Sequence, residues 1–167
     1  MRKGQIFSAD LMLAGIVFLF ILSLTIVYSN ETANRVALAE KGNARDLAAI
    51  TTGQALVYSR GEPAYWETLP GLDGVSSLGL SRAGHNELGA EKFQRLSDLN
   101  GTHYPEIKDL LGLSRYGLKI SVLDLQTKQS LAEFGLEPPE TADVSTVNRI
   151  AIYNGSNVIL RVKVFEE

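Results

Sequence analysis

The side chains able to do chemistry are few and scattered. The two histidines, His85 and His103, fall in separate loop regions, and neither has a metal-ligating partner at a recognised spacing. There is no cysteine, which removes disulfides, thiol catalysis and thiolate metal sites together. Gly71-Leu72-Asp73-Gly74 and the stretch Gly84 to Gly89 read as turns and not as phosphate-cradling loops, and no nucleophile elbow is present. The acid pairs Glu87/Glu91 and Glu106/Asp109 have helical spacing and read as solvated faces. No catalytic, cofactor-binding or metal site is expected, and the chain does not read as an enzyme. With 16 Lys and Arg against 19 Asp and Glu, and a net charge of −3, no basic field invites nucleic acid.

One ionisable residue stands apart. Asp10 lies at the mouth of an uncharged 18-residue run, Leu11 to Tyr28. A carboxylate at the centre of a membrane costs on the order of 2.5–3.5 kcal/mol, and less near the interface. It reads either as a cap at headgroup depth, preceding the helix, or as a polar docking group for a neighbouring subunit.

The element that must position Asp10 is the run itself. As a helix it extends about 27 Å, close to the ~30 Å of a hydrocarbon core, so it predicts a single membrane span. A cleaved secretory signal has a shorter apolar core and a small-residue cleavage site, which Tyr28-Ser29-Asn30-Glu31 does not supply. Arg2 and Lys3 precede the run and only Glu31 lies just after it, so the N-terminus is placed in the cytoplasm and the C-terminal part outside the cell.

The helical signal continues past Tyr28. Ala33, Val36, Ala37, Ala44, Leu47, Ala48 and Ala55 recur at spacings of three and four, predicting an amphipathic helix to about Tyr58 with an alanine-lined face. Gly42 and Gly53 are the expected points of bending. A loop follows, Ser59 to Gly71, in which Trp66 reads as an aromatic anchor pinning the loop to the domain in preference to a ligand-stacking residue. A short strand is expected around Leu78 to Leu80, and helices over Ala90 to Leu99 and Pro105 to Leu111.

The last third alternates. Leu118, Ile120 and Val122 form one strand, with a weaker partner at Gln129 to Phe134. Val147 to Tyr153 meets Val158 to Phe165 through Asn154-Gly155-Ser156-Asn157, a half-buried antiparallel hairpin whose covered face needs the alanine-lined helix. The fold class is therefore α+β: a long N-terminal helix packed on a small antiparallel sheet with two short helices. Three glycosylation sequons occur; Asn30 lies too near the membrane, which leaves Asn100 and Asn154 as candidate glycan acceptors, each of which also reads simply as the Asn of an Asn-Gly turn.

Arg2-Lys3-Gly4-Gln5, an acid and an uncharged helix resemble the class III signal peptide of type IV pilins, archaeal ones in particular. The resemblance runs on through the long helix, the Pro63-Ala64-Tyr65-Trp66-Glu67 loop, Tyr104 to Leu113 and the pair of strands Arg149 to Phe165. It implies a pilin-like fold with residues 1–4 as leader, 5–28 as the transmembrane half of the helix, 29–58 as its extracellular half and 59–167 as the head. It implies cleavage at Lys3, Gly4 and Gln5 by a membrane-embedded prepilin-type signal peptidase, after Gly4. The expected partners are the membrane, that peptidase, other pilin-like subunits met through the helix with Asp10 as docking residue, and a pilus assembly platform with its ATPase. Cleavage after Gly4 puts Ala9 fifth and Asp10 sixth, where pilins most often carry Glu fifth; a minor pilin, pseudopilin or priming subunit fits that offset better than a major subunit. The alternative is a permanently anchored extracellular module that binds a ligand or partner near Trp66.

Overall fold

The structure, a computed structural model, describes residues 3–82 and 86–166, with side chains from Asp10 onward. Ten regular elements and one short 3-10 turn follow one another among the described residues: α1 (Lys3–Tyr58), β1 (Gly61–Glu62), the 3-10 turn Trp66–Thr68, β2 (Ser77–Leu78), β3 (Glu87–Leu88), α2 (Ala90–Asp98), α3 (Tyr104–Leu110), β4 (Tyr116–Asp124), β5 (Ser130–Gly135), β6 (Val144–Tyr153) and β7 (Ser156–Glu166). The chain divides into two compact units, Met1–Lys41 and Gly42–Glu167.

The first unit is the leading part of α1. Every side chain from Asp10 to Lys41 is exposed to the surroundings, including the aliphatic and aromatic residues of the apolar run. Length and composition make it a helix able to cross a membrane. Two of its hydroxyls turn back on the backbone, Thr25 Oγ1 donating to Ile21 O at 2.8 Å and Thr32 Oγ1 to Tyr28 O at 2.9 Å. That pairing satisfies each hydroxyl within the helix itself.

The second unit is a five-stranded sheet of order β3-β6-β7-β4-β5, covered on one face by the rest of α1, by α2 and by α3, with a separate two-stranded ribbon of β1 and β2. All pairings are antiparallel except β3 with β6, which is parallel and two residues long. The sheet is thus mixed where an antiparallel one was expected, because Glu87 and Leu88 extend beside Ile152 and Tyr153 instead of turning. For the same reason Glu87 and Glu91 do not share a helix: one is on β3, the other on α2.

Alternation along the strands builds the core. Leu118, Ile120 and Val122 of β4, Phe134 of β5, Ala151 of β6 and Val158, Leu160, Val162 and Val164 of β7 all point to the covered face and are buried. Against them lie Ala49, Leu56 and Val57 of α1, Phe93 and Leu96 of α2, and Ile107 of α3. The buried stripe of α1 is Ala49, Thr52, Gly53, Leu56 and Val57, so Ala44 and Leu47 of the expected face look outward, Leu47 with 64% of its surface exposed. The small residues decide this. A Cβ on Gly53 would come within 3.3 Å of Val147 Cγ1, a separation that a leucine at the contact would forbid. The part of α1 that belongs to the second unit begins at Gly42.

The β6–β7 hairpin closes with two residues, Asn154 and Gly155, both at positive φ (51° and 77°), as a type I′ turn needs.

Candidate functional site

In the first unit the residues of interest are Asp10 and the leader. Lys3, Gly4 and Gln5 open α1, but their side chains, like all of Met1, Arg2 and His85, lie outside the described residues. Asp10 is exposed. Because α1 starts seven residues earlier, at about 1.5 Å per residue, Asp10 sits roughly 10 Å inside the helix. It therefore cannot cap the first turn, and of its two expected roles the capping one fails.

In the second unit the loop after α1 is organised by Trp66. The ring is 1% exposed, and its Nε1–H donates to Gly79 O at 3.0 Å. Gly79 must be glycine: a Cβ there would fall 2.1 Å from Ser59 O. Trp66 is thus the expected anchor, with no face left for stacking a ligand. Beside it Lys92 is buried on α2, its Nζ donating to Arg60 O and, at 2.8 Å, to Ala64 O, and lying 6.0 Å from the Trp66 ring centre. Glu67 Oε2 is 3.6 Å from the same ammonium and accepts no hydrogen bond. Burial holds the Lys92 pKa below its ordinary value, against the opposing pull of Glu67. A concavity of about 330 Å³ opens here, edged by Arg60, Glu67, Arg82 and Lys92. Its buried cation is already spent on two loop carbonyls, so what the arrangement does is fasten the loop to α2. Sequence reasoning missed Lys92; the signal was its place beside Phe93, Leu96 and Leu99 on the apolar side of α2.

The other sequence candidates stay apart. His103 Nδ1 and Glu106 Oε2 are 2.6 Å from each other at the start of α3, and Asp109 is exposed on the same helix. Among the described residues no three His, Asp or Glu side chains come together as a metal site. Asn154 is exposed at the hairpin tip, open to an attached glycan, whereas Asn100 is half-buried and its Oδ1 accepts the Gly135 N–H at 3.0 Å.

On the uncovered face of the sheet Lys119 is bonded to Glu137 and lies 3.1 Å from Glu133, while Lys163 reaches Glu137 at 3.5 Å. The hydrogen bond that Lys119 donates to Glu137 raises the pKa of the lysine. Glu137 is held low chiefly by the Lys119 bond, and Glu133 by the Ser130 hydroxyl and then by Lys119. This is a surface ion network with no cleft to serve.

No family model, characterised protein or solved structure matches the chain.

Proposed function

We propose that this chain is a type IV pilin-like structural subunit, held in the cell membrane by the apolar part of α1 with its head outside the cell, and joining or priming a surface filament once its leader is removed. The observation that carries this reading is the character of α1. A basic N-terminus leads into one helix that is uncharged and exposed throughout Leu11 to Tyr28, and that helix continues into the segment which supplies Ala49, Leu56 and Val57 to the head core. A permanently anchored module needs only the span; a helix shared by span and core suits a subunit that is later drawn from lipid into helix packing.

The test is the intact mass or N-terminal sequence of the protein extracted from its native membrane. A mature chain beginning at Gln5 is expected, and an uncut N-terminus would leave only the anchored module. Asp10→Asn is expected to insert normally and to be recovered less in filaments; equal recovery would remove its docking role. Glycan occupancy, where present, is expected at Asn154, read as the mass lost in Asn154→Gln.

A further inference from the structure

β6 is ten residues long, and β3 covers only Ile152 and Tyr153 of its outer edge. The Ile152 N–H points to that edge, donating to Asn86 O at 2.6 Å. The β6–β7 register is regular, so the N–H and C=O groups of Val144, Thr146, Asn148 and Ile150 point the same way. Among the described residues no backbone hydrogen bond engages those four N–H groups. Native edges are usually guarded by proline, lysine, a bulge or shortness. The opposite edge, β5, has such guards: it is six residues long, carries Glu133, and its pairing with β4 is irregular at Val122/Leu123. The open stretch of β6 has no proline, no lysine and no shift in register; its one charged residue, Arg149, is on the covered face, and the side chains that flank the edge on the uncovered face are Val144, Thr146, Asn148 and Ile150, with Ile150 68% exposed.

We propose that two copies of this chain join edge to edge, β6 against β6 in antiparallel register about Val147, extending the two sheets into one. The sequence is complementary to itself in this register. Val144 falls opposite the second copy's Ile150, and Thr146 opposite its Asn148, each pair occurring twice as a two-fold contact requires. On the covered face Arg149 stands diagonal to Asp143 of the second copy. Arg149 Nε is buried and lacks an acceptor, and the Asp143 carboxylate is largely exposed, 3.8 Å from Arg45 within its own chain. One register therefore pairs the open backbone groups, covers Ile150 and brings a carboxylate towards the unpaired arginine. A strand of another protein would satisfy the backbone but has no reason to supply Val, Asn and Asp at these offsets. The pairing concerns the heads alone and holds whether or not the leader is cut.

The chain has no cysteine, so a disulfide can report the register directly. Opposed residues of a hydrogen-bonded antiparallel pair have Cα atoms about 5.5 Å apart, within disulfide reach. The full-length chain carrying Thr146→Cys and Asn148→Cys, mildly oxidised in detergent micelles, is expected to run as a linked dimer on a non-reducing gel. Either single variant should link less by roughly fivefold or more, because identical positions are then only diagonal neighbours. Adding Ile150→Lys to the double variant should lower linkage to a similar extent without moving the head's thermal transition, since that side chain is exposed. Absence of linkage in a folded double variant would overturn the proposal. So would equal linkage through Gln126→Cys at the β4–β5 turn, or linkage to a different protein. The unmodified chain provides a check free of cysteines: sedimentation should give two chains per micelle, and one after Ile150→Lys, while one chain in both would overturn the pairing.

Discussion

The two parts of α1 meet opposite demands with similar residues. From Leu11 to Tyr28 every side chain faces outward and nearly all are large and apolar. From Gly42 to Tyr58 one stripe is buried, and it is built from small residues until Leu56 and Val57. A helix facing hydrocarbon gains by presenting bulk in all directions, whereas a helix lying on a sheet gains by letting backbones come close and filling the remaining space from the sheet side. Helical propensity hardly distinguishes the two parts. The solvent does.

Substitution can break that contrast. Leu56→Ala should cost the head about 2–5 kcal/mol, read as denaturant unfolding of the full-length chain in micelles, because the cavity opens inside a packed core. Leu19→Ala should leave that transition where it is. Glycine sharpens the comparison: Gly53→Val should cost about 1–3 kcal/mol by forcing atoms against Val147, while Gly42→Ala, with no neighbour within 4 Å of the added carbon, should stabilise by up to ~1 kcal/mol. Arg45→Ala should cost about 1 kcal/mol. Its Nε donates to Ser145 at 3.0 Å and its guanidinium lies within 3.9 Å of Asp143 and Glu166, fastening the start of the packed part to β6 and β7.

The smallest effect belongs to the ion network on the uncovered face. Glu133 and Glu137 have folded pKa values below their unfolded ones, so their contribution is complete above the ordinary carboxylate range, about pH 4.5, and is lost as pH falls through the lower folded values. Lys119 is raised, so its contribution is complete below the ordinary lysine value and is lost as pH climbs through the higher folded one. Lys119→Met should flatten both limbs of the stability profile by under about 1 kcal/mol, since the carboxylates are half or more exposed.

Much of this architecture was legible in residue order. The end of α1 at Tyr58, the two short helices and the four long strands follow from periods of 3.6 and 2 and from the Asn154-Gly155 turn. What escaped has physical causes. β3 is two residues long and is fixed by a partner some 65 residues away, so no local pattern announces it. The stripe that α1 buries was misjudged because alanine and leucine were weighed alike, whereas contact with Val147 selects for absence of bulk. Trp66 was readable as an anchor, since loops rich in proline and glycine commonly need one; the carbonyls that hold Lys92 belong to backbone and leave no trace in residue types. Asp10 was readable as costly, but its depth inside the helix depended on where α1 begins.

The strand order carries a consequence for how the head comes into being. β7 is the last of the strands in the chain yet lies between β6 and β4, hydrogen-bonded to both along its length. Until it is made, β4 has only the short β5 beside it and β6 has only the two residues of β3. Neither is a stable sheet, because an isolated hairpin in water is marginal. Assembly of the head is therefore delayed until β7 has been made, with the apolar faces of β4 and β6 uncovered in the interval. If the head lies outside the cell, as proposed, the delay has a use: what crosses the membrane is still a thread.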